Sequence, residues 1–203
     1  MFAKLKEQWI YDDRYIEIKK AIRVLLRKIY KLKPWHDDPL NAKPYAAYIV
    51  KNINSRIEEE NIRSVVEIGC GLGDIIGNIN LHRGKIGYDI TRETVKCARL
   101  LHPTTSFQVG SYDSVQVGKI DLLIIAGVLH RISDEELSKW FNCLKKNNDI
   151  KEICVDTQLR ATSDYPCVHE YHKIIGNEYH LINRSRGFMT IGNNRRYIEF
   201  YKK

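Results

Sequence analysis

The stretch Val65–Gly77, VVEIGCGLGDIIG, decides the fold. A short β-branched and apolar run, Val65–Ile68, stops at Gly69, Gly71 and Gly73, which stand on alternate positions. A glycine-rich turn directly after a buried strand lets a ligand approach the backbone. The pattern predicts a helix near Asp74–Asn80, whose first N–H groups would face an anion. A dinucleotide fingerprint would need its third glycine three residues after the second, where this chain has Asp74. No Gly-Lys-Ser/Thr follows, so the turn is not a P-loop. Asp89 closes the next apolar run, twenty residues after Gly69. An acid at that offset suits a ribose diol, whose hydroxyls both donate to one carboxylate.

Outward from this turn, strand and helix signals alternate. The strands are predicted at Val65–Ile68, Ile86–Ile90, Ser106–Val109, Ile120–Ala126 and Ile150–Asp156. Helices are predicted near Asp74–Asn80, Arg92–Leu101 and Asp134–Lys145, the last opened by the capping pair Ser133 and Glu136. Such alternation implies a mostly parallel sheet with helices on both faces. Tyr179–Ser185 and Arg196–Tyr201 break it, and their succession across GFMTIGNNR implies a C-terminal antiparallel hairpin. The expected architecture is a Rossmann-like α/β domain over residues 61–203, with a seven-stranded sheet. A helical extension over residues 1–60 would cover the cleft.

With these motifs in order, the chain resembles the class I S-adenosylmethionine-dependent methyltransferases. Glu67 to Gly73 looks like that family's first motif, and Asp89 like its ribose-binding acid. Val109-Gly110-Ser111-Tyr112 sits where the family contacts adenine. Asp121 to His130 looks like the fourth strand and its loop, and the last two strands like the antiparallel sixth and seventh. The resemblance implies S-adenosylmethionine as cofactor, held by Glu67, Gly69, Cys70, Gly71, Gly73, Asp89, Ile90, Ser111, Tyr112 and Ala126. Ser111 departs from the aspartate often found there, so any bond to the adenine amino group would be uncharged. Glu67 is read either as organising the turn through its N–H groups or as reaching the cofactor's ammonium through water. Asp89 also reads as a cap on the helix that begins after Thr91.

The acceptor side is less strongly patterned. His130 follows the fourth strand, at the edge where parallel sheets bind ligands. His169 and His172 lie in a polar segment after the fifth strand, with Asp156 at the strand's end; either histidine reads as substrate-facing or as part of a solvated helix face. His36 belongs to the cluster Pro34-Trp35-His36-Asp37-Asp38, near Pro44-Tyr45. That cluster suits a carbohydrate, with an aromatic against sugar C–H groups and carboxylates on hydroxyls. It also reads as a helix-to-helix turn with Trp35 buried. His130, His36 and His169 are the candidate catalytic groups, and no metal-ligand set stands out.

The net charge of +8 is uneven: residues 1–35 hold ten Lys/Arg against four Asp/Glu. Within them, residues 14–33 predict a basic amphipathic helix. Its apolar positions are Ile18, Ile22, Leu25, Leu26 and Ile29, and its polar side is Lys19, Lys20, Arg23, Arg27 and Lys31. That helix would pack on the domain, touch an anionic membrane surface, or join an oligomer interface. No apolar run suits a membrane span. The N-terminus lacks a signal-peptide core, and the five scattered cysteines form no CxxC pair. These features imply a cytoplasmic enzyme, with a peripheral position at the inner membrane as an option. The segment PWHDDPLNAKPYAAYIV resembles bacterial polysaccharide-biosynthesis methyltransferases over that short stretch. The leading expectation is therefore methylation of a sugar, glycan or other small-molecule hydroxyl. The alternatives are an RNA or DNA methyltransferase and a non-catalytic methyltransferase-like interaction module. Against nucleic acid, Ala126-Gly127-Val128-Leu129 stands where amino-group methyltransferases carry an Asp/Asn-Pro-Pro-aromatic motif.

Overall fold

A computed structural model describes residues 15–190 and 194–203. The start of the predicted basic helix at Arg14 and part of the predicted turn GFMTIGNNR lie outside the described residues. Helix α1 spans Ile16–Tyr30 and α2 spans Pro44–Arg56. Strand β1 (Val65–Ile68), β2 (Lys85–Asp89), helix α3 (Arg92–Leu101) and β3 (Ser106–Val109) follow. Then come β4 (Gly118–Ile125), α4 (Asp134–Asn147), β5 (Asn148–Gln158) and the single turn α5 (Tyr171–Ile174). Strands β6 (His180–Arg184), β7 (Phe188–Thr190) and β8 (Asn194–Lys202) close the chain.

The sheet runs β3-β2-β1-β4-β5-β8-β6, with β7 also paired to β8. Strand β1 is parallel to both β2 and β4, with Val65–Ile68 facing Lys85–Tyr88 on one side and Leu122–Ile125 on the other. Strand β8 is antiparallel to β5 along one edge and to β6 and β7 on the other. The sheet therefore has eight strands rather than the seven expected. A strand has two edges, so β6 and β7 are two pieces of one border strand, interrupted around Gly187. Strand β8 inserts between β5 and β6, as an antiparallel hairpin at the sheet's end requires.

The central strands β1, β4 and β5 are largely buried on both faces, which is why they read as apolar runs, whereas the border strands β3 and β6 are mostly exposed. Side chains alternate as a period of two demands. Val65, Leu122, Ile124 and Cys154 pack with Ile49, Val50 and Ile53 of α2 and Val95 of α3. Val66, Leu123, Ile125 and Val155 pack on the other face with Leu137, Phe141 and Leu144 of α4 and Tyr171 of α5. Helix α4 starts as its sequence requires, the Glu136 N–H donating to the Ser133 hydroxyl at 3.3 Å.

Two local expectations fail. After the glycine turn there is no α-helix, only turns and one 3-10 segment, Ile76–Asn78. Gly77 and two asparagines, Asn78 and Asn80, are poor helix formers. Any Cβ at Gly77 would fall 2.3 Å from the His102 ring, so the segment lies flat on its neighbour. Helix α1 does pack on the domain, but of its five predicted apolar positions only Leu26 packs inward, against Leu32, Leu72 and Cys97. Arg23 is its buried residue, whereas Ile18, Ile22, Leu25 and Ile29 are exposed. An ion pair described below turns it this way.

Candidate active site

Strand order reverses between β1 and β4, and a cavity of about 500 Å³ opens there, at the carboxyl ends of the parallel strands. One wall is backbone. Gly69, Gly71 and Gly73 have φ of 71°, 53° and 81°, the left-handed region that disfavours any side chain. A Cβ on Gly69 would sit 2.5 Å from Val128, and one on Gly73 would sit 2.6 Å from the Phe107 ring. The turn is fastened to β2 where the Gly69 and Cys70 N–H groups donate to the Tyr88 carbonyl at 2.8 and 2.9 Å.

Asp89 stands at the end of β2 beside this turn. Its carboxylate accepts from the Gly71 N–H at 3.1 Å and from the Thr91 N–H at 2.9 Å. Asp89 thus lines the cavity and also holds Thr91, the residue that precedes α3. Glu67 lies under the turn, 2% exposed, and accepts the Ile76 N–H at 2.9 Å. Burial pushes its carboxyl up to about 8, against that hydrogen bond and with help from Asp74 and Asp89. Glu67 is therefore mostly a neutral acid at pH 7, a role absent from the sequence reading.

The opposite wall comes from the N-terminal elements. Lys31, Leu32, Lys33, Trp35, His36, Lys43 and Tyr45 line the cavity. They are anchored by Asp74, which the glycine spacing marked only as a break in a dinucleotide motif. Arg23 reaches down from α1 and forks onto both Asp74 oxygens, and Lys43 adds a third bond at 2.8 Å. Despite burial, Lys43 and Arg23 hold the Asp74 carboxyl far below the usual carboxylate range. Arg23 also donates to the carbonyls of His36 and Asp38, at 3.2 and 3.1 Å. Arg27 bonds Asp37 at 2.9 Å. Two arginines expected on a solvated face therefore stitch α1 and the His36 loop to the glycine turn. Nothing local in the sequence pairs Arg23 with a carboxylate 51 positions away.

His36 lies against the glycine turn, with a Cβ on Gly71 falling 3.4 Å from its ring. Burial, then Lys43, lower its pKa, so the imidazole is neutral at pH 7. Trp35 beside it is 66% exposed rather than buried in a small core. The cavity also receives Ile90, Ser111, Ala126 and, from the α4 side, Trp140. Tyr112 stacks on Trp140 at 4.5 Å behind that wall, and Gly73 likewise lies outside the lining.

The other two histidines lie elsewhere. His169 is 5% exposed, with Nδ1 2.6 Å from Asp134 and Nε2 3.0 Å from the Leu129 carbonyl. It ties the segment before α5 to the start of α4, in neither a substrate-facing nor a solvated position. His130 packs edge-on against Tyr165 and does not border the cavity. Its Nδ1 is buried without a hydrogen-bond partner, and burial lowers its pKa. Asp156, singled out for its strand-end position, accepts the Gly127 N–H at 2.7 Å and faces the Arg196 Nε at 3.3 Å. Arg196 lies 4.4 Å from the Tyr45 ring centre, and Tyr45, raised by burial to about 12, keeps its proton beside Gly127. Arg196 and Trp140 were not foreseen. Among the described residues, no cluster of His, Cys, Asp and Glu could hold a metal ion.

No protein-family model matches the sequence, and neither does any curated protein. Solved structures do match the fold. An N-methyltransferase, NodS, from Bradyrhizobium japonicum WM9, solved with S-adenosylhomocysteine, superposes with a TM-score of 0.65 at 12% identity, covering 89% of this chain and 97% of its own. Magnesium protoporphyrin IX methyltransferase from Synechocystis PCC 6803, solved with S-adenosylmethionine, gives 0.63 at 17% identity, covering 98% and 96%. An S-adenosylmethionine-dependent methyltransferase from Clostridium acetobutylicum ATCC 824 gives 0.59 at 11% identity, covering 90% and 97%.

Proposed function

We propose that this chain, which has the fold of the class I S-adenosylmethionine-dependent methyltransferases, uses that cofactor to methylate a hydroxyl of a sugar, glycan or other small molecule. One observation carries the reading. Left-handed Gly69 and Gly71 and the Asp89 carboxylate border one cavity at the carboxyl ends of β1 and β2. The residues fit the cofactor. A side chain at Gly69 would fill the cradle, Asp89 offers a carboxylate to a ribose diol, and about 500 Å³ is ample for a small molecule. When bound, S-adenosylmethionine supplies a methyl group already activated on a sulfonium.

The chain's own residues would then position and deprotonate the acceptor. Bringing the acceptor oxygen into line accounts for much of the acceleration in such transfers. A hydroxyl must lose its proton as its oxygen takes the methyl. His36, neutral and at the cavity wall, accepts that proton in this reading. Tyr45 stays protonated and donates a hydrogen bond to the acceptor. Exposed Trp35 at the rim, with exposed Asp38 close in sequence, supports a sugar as the bound group.

Calorimetry with S-adenosylmethionine, S-adenosylhomocysteine and NAD tests the cofactor. Saturable binding of the two sulfur compounds, lost in Gly71→Val and weakened at least tenfold in Asp89→Ala, is the expected result. Binding of NAD alone, or no binding by folded protein, overturns the reading. With an acceptor in hand, the rate should fall only on the acid side of the ordinary histidine range, because the base works deprotonated and burial, then Lys43, lower its pKa. His36→Asn should abolish that limb and cost on the order of a hundredfold in kcat. An unchanged acid limb would remove His36 from the chemistry.

A further inference from the structure

Helix α1 presents to solvent the face that its sequence marks for burial. Ile18, Ile22, Leu25 and Ile29 fall at steps of four, three and four residues, one straight stripe along the helix. Each is between 44% and 62% exposed. The cations that would compete with them for water have been split. Arg23 and Arg27 point inward to Asp74 and Asp37, while Lys19 and Lys28 flank the stripe, one on each side. Beyond the helix, the left-handed residue Lys31 turns the chain into Leu32-Lys33-Pro34-Trp35, and Lys31, Lys33 and Trp35 are all exposed. Those same residues form the cavity rim. An apolar stripe, a lysine border, an exposed tryptophan and the cavity mouth are therefore consecutive along one piece of chain.

We infer that α1 and Trp35 dock on an anionic lipid bilayer, with the stripe in the headgroup–acyl boundary, so that the cavity opens toward the membrane surface and takes its acceptor from there. Charge complementarity selects this occupant. Helices of this kind bind through buried apolar area plus attraction of lysines to anionic lipid, and tryptophan favours the interface. A second copy of α1 would also cover the stripe. That pairing would set Lys19 and Lys28 against their own equivalents, with Glu17 the helix's sole acid to offset them. The helix also offers two heptads, fewer than the three or four that normally sustain a coiled coil. The inference rests on the methyltransferase reading only for what enters the cavity; docking itself does not.

Sedimentation with vesicles of phosphatidylcholine, with and without phosphatidylglycerol, tests it at low and high salt. The variant Ile22→Ser/Leu25→Ser is chosen because both side chains are exposed and neither borders the cavity. The expected result is binding to the anionic vesicles alone, salt-sensitive, and weakened on the order of tenfold or more by the double substitution. S-adenosylhomocysteine binding, measured on the same samples, should stay within twofold of wild type. No vesicle binding by the full chain overturns the inference, as does binding that the double variant retains. A concentration-dependent dimer abolished by the same substitutions, without vesicle binding, would assign the stripe to a second copy instead. Vesicle binding without any cofactor binding would sink the methyltransferase reading and leave the docking surface standing.

Discussion

The two walls of the cavity are built on different principles. The glycine wall is backbone, contributed by residues that are near neighbours in sequence, and its shape is set by positive φ angles that only glycine adopts cheaply. The N-terminal wall is side chain, assembled from α1, the His36 loop and Lys43, and held down by a charge network centred on Asp74. The first wall is rigid by local geometry. The second is held by the buried ion-pair cluster around Asp74 together with the packing of Leu26 and Leu32 against Leu72 and Cys97.

Substitutions can separate the two. The largest effect is expected at the anchor. Asp74→Ala leaves the Arg23 guanidinium, 8% exposed, without its carboxylate and should cost about 3–5 kcal/mol in denaturant unfolding. A loss below about 1 kcal/mol would mean that the N-terminal wall is not held by this pair. Gly69→Val strains a left-handed position and drives a side chain into Val128, for about 3 kcal/mol of destabilisation together with loss of cofactor binding. If Gly69→Val bound normally, the backbone wall would not be the cofactor's.

Glu67 gives an intermediate and signed effect. Its folded-state carboxyl titrates near 8, well above the unfolded value, so the native state holds more protons between those limits. Its contribution is fully present below the unfolded pKa and is lost as pH rises through about 8. The Glu67→Gln protein, whose amide oxygen can still accept the Ile76 N–H, should lose that decline when thermal melts are compared from pH 5 to 9. An identical pH profile in the two proteins would contradict a protonated Glu67. The smallest effect is expected at the rim. Trp35→Ala should change stability by no more than about 0.5 kcal/mol, since the ring is exposed, and should leave cofactor affinity intact while weakening acceptor or vesicle binding.

Much of the fold could be read from the chain. Strand β1, helix α3 and strand β3 have the predicted limits, and β2, β4 and β5 depart by a few residues. These elements are legible because they carry their own evidence: apolar runs of strand length, and a capping serine before α4. The missing helix after the turn shows where that evidence misleads. Asp74–Asn80 is apolar enough for a helix, but its shape follows His102, which packs on Gly77 from a distant position.

The parallel sheet, the glycine turn after β1 and the acid at the end of β2 are legible in the chain, because each depends on φ preferences and burial periods within a few residues. Which way α1 faces, that His36 rather than His130 or His169 reaches the cavity, and that Glu67 stays protonated emerge only once the chain is folded. Those outcomes depend on charges and side chains brought together across long stretches of chain: Arg23 with Asp74, His169 with Asp134, Arg196 with Asp156 and Tyr45. Burial makes such pairings strong, and burial is a property of the folded chain as a whole.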